Sequence, residues 1–220
     1  MSFSFDVSTG RCRRAPGGAR RPEAGIASDA LVLACATAAE LRAARRTGAR
    51  AALVGIGAAN GAPEGPLISF GLAGALRDDL PVGAVIDATR VVDADGAELW
   101  RGEGFGVPGS RAGTILAAET IVDDPDERRR LHDRTGADAA DLESGPLART
   151  GRLRGVVRAV SDTPAHPLDG LVGGVTPDGG YNWPGLVRAF LRSPRGFVRS
   201  ASDARHALDR LAAATSRWAP

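Results

Sequence analysis

Two apolar runs of strand length, "ALVLACA" (30–36) and "ARAALVGIG" (49–57), bracket the segment "TAAELRAARRTG", and this order limits what the chain can fold into. The first run is continuous rather than alternating, which predicts a strand buried on both faces. In the segment between them, Thr37 stands as N-cap, Glu40 follows three residues later and Gly48 closes the run. That is the signature of a capped helix. A βαβ opening favours a parallel or mixed sheet, and so an α/β chain.

The rest of the sequence continues the pattern. "LISFGLAGALRDDLPVGAVIDATRVVD" (67–93) predicts a strand at 67–70, a Gly-rich turn at 71–74 and a strand at 84–92. "GSRAGTILAAETIVDD" predicts one or two more strands, and "PDERRRLHDRTG" (125–136) a helix opened by Pro125 and closed by Gly136. "ADAADLES" reads as extended, "GPLARTG" as the start of a helix, and "GVVRAVSD" (155–162) as a buried strand with a polar end. Residues 183–215 predict two helices parted near Pro194, with Leu186, Val187, Phe190 and Leu191 on one face of the first. Residues 1–28 read as a loosely ordered extension without the apolar core of a signal peptide, and residues 29–220 as one domain.

Composition excludes several chemistries. All 28 basic residues are arginine, so neither a Schiff-base lysine nor a P-loop lysine exists. A net charge of +2 with no aromatic-interleaved basic run gives no reason to expect nucleic acid. Cys12, Cys35 and three scattered histidines form no zinc motif, so no metal is expected, and the two thiols suggest a reducing, cytoplasmic setting. "GIGAANG" (55–61) has the wrong glycine spacing for a dinucleotide fingerprint, and "APEGP" follows it where a helix should start.

Four stretches could carry chemistry. In "DLESGP", Asp141 and Glu143 point the same way if extended, and a carboxylate that only accepts suits a vicinal diol such as ribose. A solvated edge, or a cap for a helix starting at Pro146, fits the same residues. Ser161-Asp162 ends a buried strand, where partial desolvation would help Asp162 act as an acid; an Asx turn before Pro164 is the plainer alternative. Gly71, Leu72, Ala73 and Gly74 could let backbone N–H groups reach an anion or a base edge, or simply connect strands. Glu40 could activate a water, beside its capping role. Arg188, Arg192 and Arg199, at helical spacings near apolar residues, suit either a membrane surface or a solvated face.

Together, "LISFGLAGALRDDLPVGAVIDATRVVD", "ADLESGPLAR" and "GVVRAVSD" resemble the nucleoside phosphorylase/nucleosidase family, across roughly residues 30–168. "SFGLAGAL", "DLESG", "VRAVSDT" and "LVRAFLRSPRGF…DARHAL" look most like its hopanoid-associated phosphorylases. The resemblance implies a three-layer α/β fold with a central mixed β-sheet flanked by helices, a homo-oligomer, and cleavage of a purine N-glycosidic bond. Its main reading is phosphorolysis of adenosylhopane, a lipid-linked nucleoside, with phosphate as co-substrate, no cofactor and peripheral membrane contact. Hydrolysis of a nucleoside such as methylthioadenosine is the alternative; an idle nucleoside-binding relative is a third. By resemblance Glu143, with Asp141 beside it, takes the ribose hydroxyls. Asp162 is the leaving-group acid supported by Ser161; Ala73 and Gly74 meet the base, Gly71 and Leu72 the phosphate or water. Glu40 is the water-activating carboxylate, and Thr120 and Ile121 lie near the base. The chain departs from the pattern at Leu142 and Ala75. It also lacks an arginine ahead of the Gly-rich segment, and its 57–67 connection is too short for a helix.

Overall fold

A computed structural model describes residues 31–168 and 174–216; the N-terminal extension and its boundary near residue 29 lie outside them. In chain order the strands and helices are β1 (Val32–Cys35), α1 (Ala38–Arg45), β2 (Arg50–Leu53), β3 (Leu67–Ala75), β4 (Val85–Val92), β5 (Glu98–Arg101) and β6 (Arg111–Ala117). They continue as α2 (Pro125–Thr135), β7 (Ala139–Asp141), α3 (Ser144–Arg149), β8 (Leu153–Asp162), α4 (Trp183–Arg192) and α5 (Pro194–Thr215).

The strands form one mixed sheet. β1 pairs in parallel with β2 and β3, as the opening predicts. Beyond β3 the sheet curls: β3 pairs with β8, β8 with β4, β4 with β6, β6 with β7, and β7 returns to β3. Five strands therefore close on themselves, and β2 and β5 remain at the margins. Side chains alternate between two buried apolar clusters. Val32, Leu67, Val156 and Val160 share one; Leu33, Ile68, Phe70, Val157 and Ala159 share the other with Ala207 and Leu211 of α5. A fully buried side chain such as Leu67 or Phe70 contributes about 1.5–3 kcal/mol, which fixes the register of the strands that bear the polar groups.

Helix signals match the structure closely. Thr37 Oγ1 accepts from Glu40 N while Glu40 Oε2 accepts from Thr37 N, a complete capping box. Asp124 caps α2, and Gly136 ends it in the left-handed conformation at φ 68°.

Three expectations need correction. Residues 71–74 are no turn: β3 runs unbroken from Leu67 to Ala75, because those glycines serve neighbouring side chains. "ADAADLES" is extended only over Ala139–Asp141, since Asp141 accepts from Ser144 N and starts α3 there. β5 falls in "ELWR", a four-residue strand that periodicity did not single out.

Candidate active site

A cavity of about 190 Å³ opens where β1, β3, β7 and β8 come together. Glu40, Leu72, Ala73, Gly74, Asp141, Glu143, Ser161 and Asp162 all line it, so the structure gathers every proposed site residue but Gly71 into its wall. Thr120 and Ile121, on the loop after β6, line it too. The volume is below the ~300–1,000 Å³ of usual small-ligand sites.

Behind the wall lies Arg158, wholly buried on β8. Its Nε is 2.6 Å from Asp141 Oδ2, a charge contact without hydrogen-bond alignment. Nη2 donates to Ser69 Oγ at 2.6 Å and to Glu143 Oε2 at 3.3 Å, and Nη1 donates to the Leu72 carbonyl at 3.2 Å. Burial opposes the charge on Arg158, but Asp141, Glu143 and Glu40 together raise its pKa. One guanidinium thus serves three carboxylates, and the cluster keeps an excess of negative charge.

Each carboxylate is differently engaged. Asp141 accepts from Ser144 N at 2.9 Å and Ser144 Oγ at 2.5 Å as well as meeting Arg158, so both of its oxygens are committed within the protein. Glu143 sits at the N-cap of α3 without capping it, which removes that alternative. Its Oε1 accepts from Gly57 N at 3.1 Å, across the short link after β2. Gly57 is left-handed there (φ 59°), so the shortened connection supplies a donor to the site in place of a helix. Burial pushes the Glu143 carboxyl up to about 7; Arg158 pulls the other way, while Asp141 and Glu40 add to the rise. Glu40 keeps its capping role and also accepts from Leu72 N at 2.7 Å through Oε1.

The glycines of β3 explain themselves here. A Cβ on Gly71 would stand 2.2 Å from Glu40 Oε1 and 2.8 Å from Arg158 Nη1; on Gly74 it would stand 2.8 Å from Asp162 Oδ2. They admit charged side chains against the strand. Gly71→Ala is expected to cost about 1–3 kcal/mol by overpacking, because the capping box and Leu72 N hold Glu40 in place. Urea denaturation checks this; a variant as stable as the parent would refute the packing role.

Asp162, at the end of β8, has two partners, Ser161 and an arginine the sequence did not point to. Ser161 Oγ donates to its Oδ1 at 2.6 Å, and Arg128 Nη2 forms an ion pair with its Oδ2. Arg128, buried on α2, also donates to the Val122 and Ala75 carbonyls. Sequence reading missed both internal arginines. Arg158 left a signal, a charge inside "GVVRAVSD"; Arg128 sits in "ERRR", where Arg129 and Arg130 pair with surface acids and nothing distinguishes the buried member. Among the described residues, no group of histidine, cysteine and carboxylate side chains has the arrangement of a metal site.

The sheet and its flanking helices define the nucleosidase/phosphorylase fold. No family model matches the chain, and no curated protein matches it in sequence. Solved structures match in fold. The 5′-methylthioadenosine/S-adenosylhomocysteine nucleosidase of Neisseria meningitidis, in complex with methylthio-immucillin-A, superposes with a TM-score of 0.58 at 15% identity, over 86% of this chain and 97% of that one. A variant of the Chlamydia trachomatis enzyme bound to methylthioadenosine gives 0.52 at 13% identity, over 84% and 94%.

Proposed function

We propose that the protein hydrolyses the N-glycosidic bond of a purine nucleoside of the 5′-methylthioadenosine type. The observation that carries this reading is the cluster of Glu40, Asp141 and Glu143 around buried Arg158, beside a cavity that Asp162 also lines. Breaking C1′–N9 leaves positive charge on the ribose, and an excess of fixed negative charge stabilises it. Glu143 accepts the ribose hydroxyls, while Asp141 acts through Arg158. Glu40 takes a proton from water as the water oxygen bonds to C1′. The bonding pair leaves with the base, and Asp162, once it has parted from Arg128 and taken up a proton from water, passes that proton to N7.

The same charges favour water over phosphate. Arg128 is the sole arginine lining the cavity among the described residues, and it is engaged by Asp162 and two carbonyls. A phosphate anion would meet carboxylates, with the one cation of the described lining paired to Asp162 in the resting protein. That weighs against adenosylhopane phosphorolysis, and nothing in the cavity calls for a lipid-linked substrate. Adenine release from methylthioadenosine should proceed equally with and without phosphate and fall in Glu40→Gln. Phosphate-dependent release, or none from folded protein, would overturn the reading.

The pH profile follows from Glu143. With its carboxyl pushed to about 7, the hydroxyl-accepting anion forms as pH rises through that value. For the free enzyme, the limb of kcat/KM that reports Glu143 should climb through about pH 7, and it should move to lower pH in kcat, since ribose hydroxyls favour the anion. A flat profile between about pH 5.5 and 8.5 would exclude Glu143 from this role.

A further inference from the structure

The C-terminal helices present a surface that this chemistry does not use. On α4, Trp183, Val187, Phe190 and Leu191 recur at helical spacing and share one face. They are 70%, 55%, 44% and 73% exposed, while Ala189 on the opposite side is buried. Phe190 packs edge-on against Phe197 of α5 at 5.7 Å, and Val198, 59% exposed, continues the apolar surface onto α5. A contiguous patch of this kind marks an interaction site rather than an ordinary solvated helix.

Its charges indicate what covers it. Between Asp178 and Asp203 the sequence contains no acidic residue, yet Arg188, Arg192 and Arg195 stand along the apolar stripe. We propose that this face lies on an anionic lipid bilayer. Trp183, Val187 and Leu191 enter the boundary between headgroups and acyl chains, and the three arginines meet the lipid phosphates. Among the described residues no helix is long and apolar enough to cross a membrane, so the contact is a surface one.

The charges also disfavour the other occupants. A twofold contact through this face would bring the arginines of two copies together with no acid in the segment to neutralise them. Residues 1–30 hold five arginines against three acids, so that segment too would meet like charge. The proposal is independent of the nucleosidase reading, since vesicle binding requires no turnover.

The test is co-sedimentation of the full chain with vesicles of phosphatidylcholine alone or mixed with phosphatidylglycerol. Binding is expected only with phosphatidylglycerol, weakening as salt rises. Arg188→Gln, Arg192→Gln and Arg195→Gln together should lower partitioning by about 100-fold, at roughly fivefold per arginine. Trp183→Ser with Leu191→Ser should abolish binding with the melting temperature unchanged, both side chains being largely exposed. No binding to either vesicle, or equal binding to both, overturns the proposal. So does a dimer seen by light scattering that the Trp183→Ser, Leu191→Ser pair dissolves, because the occupant is then a second copy.

Discussion

Replacing Arg158 by methionine is expected to destabilise the protein by about 3–5 kcal/mol, the usual cost of leaving buried charges without their partner. Methionine fills most of the space but leaves Asp141, Glu143 and Glu40 facing one another. The pH dependence carries a definite sign. Arg158 already holds the Glu143 carboxyl down against burial, so its loss raises that pKa further above the unfolded value. A carboxyl raised in the folded state contributes stability below its unfolded pKa and loses it as pH rises through the folded one. The deficit should therefore grow between about pH 5 and pH 8. Urea midpoints at both values measure it, and a loss under about 1 kcal/mol at each would mean the arginine is not the charge partner of the cluster.

Asp162→Asn should lower kcat by about 10²- to 10⁴-fold, the contribution of a well-placed general acid. A second substrate separates proton donation from damage to the site. A nucleoside methylated at N7 carries its positive charge on the base from the start, so the base departs neutral without receiving a proton. The variant should cleave that substrate nearly as fast as the parent does. Equal losses on both substrates would assign Asp162 to positioning, with Arg128 and Ser161, and leave the leaving group to solvent. Arg128→Met complements the pair: it frees Asp162 Oδ2 from its ion pair and should change the pH profile of kcat for the ordinary nucleoside only.

Local signals made much of the fold legible. Thr37 and Glu40 announced α1, Pro125 and Gly136 bounded α2, the continuous apolar run of β1 predicted a strand covered on both sides, and "GVVRAVSD" predicted a buried strand at β8. Glycine misled where its usual meaning failed: Gly71 and Gly74 read as a turn because turn glycines are common, whereas a strand glycine that makes room for a distant carboxylate has no local signature. The candidate site was legible as acids at strand ends. Its cations were not, because a buried ion pair is defined by residues far apart in the chain. Arg128 and Asp162 are 34 positions apart, and Arg158 reaches Ser69 across 89.

The closed set of five strands restricts how such a site can change. In an open sheet an edge strand can slip by one residue and exchange the side chains on its two faces. β8 is clasped by β3 on one side and β4 on the other, and it carries both Arg158 and Asp162. A slip of one position would displace both from their partners and break pairing with two neighbours at once. Variation here can therefore proceed only by exchanging side chains in place, like type reset in a locked frame. The loops and the C-terminal helices, outside that frame, are where new specificity has room to arise.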